Sequence, residues 1–169
     1  KEASTPWDWH PKLFERGRQL GLTIFSSPFD FSAVEFLLGL GAPAYKIASF
    51  EMIDFPLVKM VAKTGKPLII STGMANLKEI SEMVEIITDV GCVEFALLHC
   101  VSGYPTPPKE SNLRTLEELS SKFDAVIGLS DHTLGTASAI ASVALGANII
   151  EKHFTLKRSD GGPDAAFSL

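Results

Sequence analysis

His132 and His153 each close a short apolar run, in the strings SDHT and EKHF. If those runs are neighbouring strands of one sheet, two imidazoles stand side by side at the tips. Such a pair can hold a divalent cation and leave positions open for water and substrate. Two separate hydrogen-bonded core histidines are the competing account, but the matched positions favour the cation. On strand parity Glu151 shares a face with His153, and Ser130 shares one with His132. A second feature is Lys46, inside the apolar run YKIAS. An ammonium is costly to bury unpaired, so either its stem packs while its head escapes to water, or it faces an anion. Ser27, Ser49, Ser71 and Ser130 stand at the ends of neighbouring runs. One cation among several hydroxyls makes a cradle for a phosphate or a carboxylate. Lys46 and Ser49 lie on opposite faces of a regular strand, so the backbone must bend after Ala48 if both serve one site.

Other polar residues are less directive. Asp164, in the loop GGPD, can reach back over a site or simply make a surface turn. Glu51 is either a ligand-facing carboxylate or the approach to a helix, and Tyr104, between Gly103 and Pro105, either lines the mouth or packs a loop. His99 reads as a hydrogen-bonded strand residue, His10 lies in an N-terminal loop, and Cys92 looks structural.

The elements that must carry these groups follow from periodicity. Six runs, 22–26, 45–49, 68–71, 95–100, 125–129 and 148–154, are nearly continuous in apolar character, as in parallel strands covered on both faces. Helical patterns separate them at 31–39, 56–63, 76–90, 113–123 and 135–145, with an earlier one at 12–20. Asp30 is placed as an N-cap, Pro56 opens a helix, and Gly91 and Gly146 close helices. Strict alternation leaves an open doubly wound sheet or a (β/α)8 TIM barrel. Hydroxyls, charges and histidines gather at the C-terminal ends of all six runs, the active-site face of a barrel; a doubly wound sheet concentrates its ligand contacts at one switch point. The reading is an α/β chain forming an incomplete TIM barrel of about six βα units.

Composition bounds the remaining choices. The 169 residues are 46% hydrophobic and 21% charged, with 15 Lys and Arg against 20 Asp and Glu. A net charge of -5 argues against nucleic-acid binding or a basic membrane-binding face. No apolar run approaches the roughly 20 residues of a membrane span, and no glycine-rich nucleotide motif occurs. Two cysteines cannot make a disulfide framework, so the cytoplasm is expected. The chain starts at Lys1 without methionine and is shorter than a typical barrel of about 250 residues, so residues 1–169 are read as part of a longer synthase domain.

The strings YKIASFE, ISTGM, LLHCVSGYPTP, GLSDHT, EKHFT and GGPDAAFSL resemble the sialic acid synthase family, which condenses phosphoenolpyruvate with amino sugars. The opening TPWDWH, SSPFD and the ending DGGPDAAFSL are most similar to its pseudaminic acid synthase branch. The resemblance implies that His132 and His153 are the protein ligands of a divalent metal (Mn2+, Mg2+ or Co2+). It implies that Lys46, Ser27, Ser49, Ser71 and Ser130 hold phosphoenolpyruvate. Ser102, where relatives carry asparagine two residues before the tyrosine, would contact the phosphate. Glu51, Tyr104 and Asp164 would face the sugar, and Lys46 and Glu51 would join the histidines in catalysis. By the same resemblance the family's first two barrel strands and its C-terminal antifreeze-like domain lie outside this chain, the whole protein is a homodimer, and the isolated piece is inactive. Two alternatives stay open: another phosphoenolpyruvate-condensing keto-sugar acid synthase, and a non-catalytic α/β binding module.

Overall fold

Short apolar runs alternating with helical segments make five strands and six α-helices among the residues described, 4–169 of the computed structural model. The strands are β1 (Tyr45–Ile47), β2 (Leu68–Ser71), β3 (Phe95–Cys100), β4 (Val126–Asp131) and β5 (Ile149–Lys152). The helices are α1 (His10–Gln19), α2 (Phe31–Gly39), α3 (Phe55–Ala62), α4 (Leu77–Asp89), α5 (Thr115–Lys122) and α6 (Ala137–Ala144).

Local chemistry sets the boundaries. Asp30 accepts the Ala33 amide at 2.8 Å to start α2, and Asp54 accepts the Leu57 amide at 3.1 Å to start α3. Asn76 and Glu79 make a reciprocal capping box on α4, satisfying amides that the first turn leaves unpaired. Gly91, at φ 89°, takes the left-handed conformation that ends α4 without a Cβ clash.

The sheet order is β1-β2-β3-β4-β5, parallel throughout. One face points outward: Tyr45, Ile47, Leu68, Ile70, Leu97 and Ile127 join Leu57, Val58, Val61, Ile80, Met83, Ile87, Leu116 and Leu119 of the helices in one buried core. Full burial of each such side chain contributes about 1.5–3 kcal/mol, which anchors helices on the outside. The inner face carries Lys46, Ser71, Ala96, Leu98, Cys100, Gly128, Ser130 and Glu151, as the register requires.

That inner face is strongly concave. Four strand spacings of about 4.8 Å would put β1 and β5 about 19 Å apart in a flat sheet. Yet Lys46 Nζ on β1 lies 3.4 Å from Glu151 Oε1 on β5. Only a curled sheet lets side chains from its two edges meet. Four steps is half the circuit of an eight-stranded barrel, whose interior is just wide enough to be filled by side chains. The expected TIM-barrel-like α/β architecture is therefore present, as a five-stranded half-barrel with helices outside.

Two details differ from the sequence reading. The run 22–26 is not a strand: a single bridge, Ser26 to Tyr45, joins it to β1 through the Lys46 amide and the Ser26 carbonyl at 3.2 Å. Ile24 turns instead into the space beside Gly17 of α1, and Leu22 is exposed. Nor are all strands covered on both faces, since inward-pointing Val126 is 47% exposed in a barrel wall that curls only halfway.

Gly128 is where β4 and β5 approach most demandingly. A Cβ there would overlap the Ile149 carbonyl oxygen and a Leu98 methyl. Backbone cannot move aside as a side chain can, so Gly128→Ala is expected to destabilise the fold by about 1–3 kcal/mol. Urea unfolding checks this; an unshifted midpoint would mean that the strands are less closely packed than described.

Candidate active site

Lys46, Ser71, Ser130, His132 and His153 owe their positions to strands β1, β2, β4 and β5 or to the residues just beyond them. Lys46 points inward from β1, 8% exposed, and its Nζ donates to Ser71 Oγ of β2 at 2.8 Å and to the Ile47 carbonyl at 3.2 Å. Glu151 stands across the interior, its Oε1 also accepting from Ser130 Oγ at 2.7 Å. The bend required after Ala48 is present. β1 ends at Ile47, and the Ala48 carbonyl accepts the amides of Glu51 and Met52 at 3.1 Å. That turn brings Ser49 to the side of Lys46, where its Oγ accepts the Gly73 amide at 3.1 Å.

The histidines follow the same logic on β4 and β5. Their ring centroids lie 5.3 Å apart, and Tyr104 packs against His132 at 4.3 Å and His153 at 6.1 Å. His132 Nδ1 donates to the Val101 carbonyl at 2.9 Å, and His153 Nδ1 meets Asp164 Oδ2 at 3.3 Å. Each ring thus has its Nδ1 engaged and its Nε2 left over. This is the tautomer-fixing arrangement that metal-binding histidines use, so the pair fits a cation. Among the described residues no group of three or more His, Cys, Asp or Glu side chains could hold one unaided, so water or substrate would have to complete the ligand set of a cation held there.

These groups border one cavity of about 330 Å³, lined by Ser27, Lys46, Ala48, Ser49, Ser71, Cys100, Tyr104, Ser130, His132, Glu151, Lys152 and His153. Eight candidates from the sequence are brought together there. Three are not on its lining. Asp164 sits outside, held at His153. Glu51 begins a 3-10 turn (Glu51–Ile53) beyond β1. Ser102 Oγ is buried without a hydrogen-bond partner, where it would be crowded by any Cβ at Gly73.

The structure adds three residues that sequence reasoning did not name as site residues. Glu151 had been placed on the face of His153 by parity, but its pairing with Lys46 spans the barrel. Cys100 Sγ lies 3.8 Å from His132 Nδ1. Burial opposes the thiolate, but hydrogen bonds from His132 and Ser49 outweigh it and bring the Cys100 pKa down. Burial likewise opposes charge on His132, yet contacts with Cys100 and the Val101 carbonyl raise its pKa overall. At His153 burial wins over the attraction of Asp164, and the pKa falls, which favours the neutral ring that a metal requires. The third residue, Lys152, pairs with Asp131 at 2.9 Å. The signal for Lys152 and its partner Asp131 was that each immediately precedes a site histidine.

A parallel half-barrel that presents a buried ammonium, hydroxyls and paired imidazoles at its C-terminal strand ends has the layout of a barrel enzyme's active-site face. The model of the NeuB family matches residues 1–169, and the chain belongs to that family. It is 45% identical to a pseudaminic acid synthase of Helicobacter pylori, over 100% of this chain and 50% of that protein. It is 43% identical to one of Campylobacter jejuni, over 100% and 49%. The crystal structure of N-acetylneuraminic acid synthetase from Leptospira borgpetersenii, in complex with citrate, superposes with a TM-score of 0.95 at 35% identity, covering 99% of this chain and 58% of that one. The chain spans about half the length of the curated relatives it matches. Among the described residues no helix is long and apolar enough to cross a membrane.

His99 stands apart from this cavity as a structural residue. It points outward from β3, 7% exposed, with Nε2 2.7 Å from the Ser111 carbonyl. Burial lowers its pKa, against the opposing pull of that carbonyl. The unfolded chain, with a histidine near 6.5, therefore binds more protons than the folded one once pH drops below that value. Stability due to His99 is present above about pH 6.5 and lost as pH falls through the folded pKa. His99→Gln, which keeps an amide donor, is expected to lose less stability between pH 7 and pH 5. Urea midpoints at the two pH values would test it, and equal losses in both proteins would remove His99 as the cause.

Proposed function

We propose that the whole protein condenses phosphoenolpyruvate with an open-chain acetamido sugar, forming a nonulosonic acid of the pseudaminic or sialic type and releasing phosphate. The observation that carries this reading is the convergence of Lys46, four serines, His132 and His153 on one cavity. The similarity to pseudaminic and sialic acid synthases supports the substrate class. The same family resemblance is the ground for a homodimer, and the two unpaired cysteines are the ground for a cytoplasmic location.

Within this reading Lys46 and Ser71, already 2.8 Å apart, bind anionic oxygens of phosphoenolpyruvate, with Ser27, Ser49 and Ser130 as further donors. Glu151 keeps the ammonium engaged until an anion arrives. His132 and His153 would hold a divalent cation through Nε2, and the cation's contribution is Lewis-acid polarisation of the sugar aldehyde. Phosphoenolpyruvate C3 forms a bond to the aldehyde carbon, whose oxygen becomes a hydroxyl. Water adds at C2, and C–O cleavage expels phosphate. The chain's own residues bind, orient and neutralise charge, so rate enhancement here is chiefly positioning and electrostatics. Tyr104, beside both imidazoles, and Asp164, at the outer edge of His153, are placed to meet the sugar. Glu51 and Ser102 keep their sugar and phosphate roles on resemblance alone.

Phosphate release from phosphoenolpyruvate by the full-length protein tests the reading, with Mn2+ and a panel of 2-acetamido sugars, 2,4-diacetamido sugars and phosphorylated aldoses. At least one acetamido sugar is expected to support turnover. Release only with phosphorylated aldoses, or with nothing, would overturn the assignment. His132→Ala is expected to lower turnover at least 100-fold in Mn2+-replete buffer; full activity would remove it as a ligand. Lys46→Ala loses charged hydrogen bonds of about 1.5–3 kcal/mol, so the KM for phosphoenolpyruvate should rise by roughly 10- to 100-fold. An unchanged KM would place Lys46 outside the pocket.

A further inference from the structure

Asp131 and Lys152 form the most deeply buried ion pair among the described residues, with side chains 1% and 7% exposed. Every charge in it is answered. Asp131 Oδ1 accepts the Thr133 amide at 2.9 Å, Oδ2 accepts Lys152 Nζ at 2.9 Å, and Nζ also donates to the Thr133 carbonyl. A buried pair like this is weak evidence for stability, since apolar residues of similar volume often serve as well. Its location is more telling. Asp131 immediately precedes His132, and Lys152 immediately precedes His153. The two are register partners at the last rung of the β4–β5 ladder. By strand alternation the two side chains point to the face opposite the imidazoles, although Lys152 as a residue also borders the cavity.

We propose that the Asp131–Lys152 pair is a positioning clamp that sets the separation and aim of the His132 and His153 rings. It ties the tip of β5 to both peptide groups of Thr133, the residue that follows His132, and so holds the turn carrying that ring. The far side of the same turn is held by the Thr106 amide on the His132 carbonyl at 3.0 Å. With backbone fixed on both sides, ring aim is left to the Nδ1 contacts with Val101 and Asp164. Neither clamp residue touches the reacting atoms: their part is to keep two Nε2 atoms convergent. The inference rests on the cation reading above.

The test is direct Mn2+ binding to the full-length protein, read by the electron paramagnetic resonance of free Mn2+, with circular dichroism to verify folding. Wild type should bind Mn2+ and His132→Ala should not; failure of either overturns the cation reading and this proposal with it. Asp131→Asn/Lys152→Met removes both charges with little change of shape, and Lys152→Gln keeps a donor toward Thr133. Loss of a group bonded directly to a metal-ligating histidine commonly weakens affinity about 10- to 100-fold, and the clamp, which acts one residue further out through Thr133, is placed at the low end of that range. The double variant is expected to fold and bind Mn2+ at least tenfold more weakly, with Lys152→Gln in between. Wild-type Mn2+ affinity in either variant that folds, once His132→Ala has abolished binding, would overturn the clamp and leave the cation reading standing.

Discussion

The Lys46–Glu151 pairing is the constraint from which the rest of the site follows. It joins the first and last strands of the sheet across its concave face, and a sheet flat enough to separate them would place both charges in the open or unpaired in an apolar wall. Curling the sheet to bring them within 3.4 Å also rotates the ends of β2, β3 and β4 inward. Ser71, Cys100 and Ser130 then face the same volume. The pair is uneven by design of its surroundings: the lysine is nearly buried while Glu151 keeps partial access to water, so solvent screening leaves the attraction modest. That suits a site in which the ammonium must later exchange one anion for another.

Rigidity outside makes that adjustability affordable inside. The outer face of the sheet is packed with fully buried aliphatic side chains against α3, α4 and α5, and the helices are pinned by side-chain caps at Asp54 and Asn76. Close-packed layers of this kind transmit displacement and resist it. The strand ends therefore act as fixed mounts. What varies from one tip to the next is the turn that follows: the one after Ala48 aims Ser49, and the one at Asp131–Thr133 carries His132.

Much of this could be read directly from local pattern. The helix limits at Asp30, Asn76 and Gly91, the parallel strands and the barrel-like curl all followed from periodicity and from the accumulation of polar residues at run ends. The bend after Ala48 followed from parity once Lys46 and Ser49 were assigned to one site. The run 22–26 shows where local pattern stops: its apolar composition is that of a strand, but pairing needs neighbours, and Ile24 found a helix instead.

By itself the sequence determined which residues could do chemistry, because alternation assigns a face to each strand residue and a run end assigns it to a tip. For Lys46, Ser71, Ser130, His132 and His153, alternation and run ends gave the face and the tip; Ser49 needed the turn after Ala48 as well. Only the tertiary structure decided which of those tips share a cavity, that Glu151 meets Lys46, that Asp164 sits on His153, and that Glu51 stands away from the lining. The physical reason is distance along the chain. Face and register are set by neighbours a few residues apart, whereas contacts across the barrel depend on how far five strands curl together, a property no single segment carries.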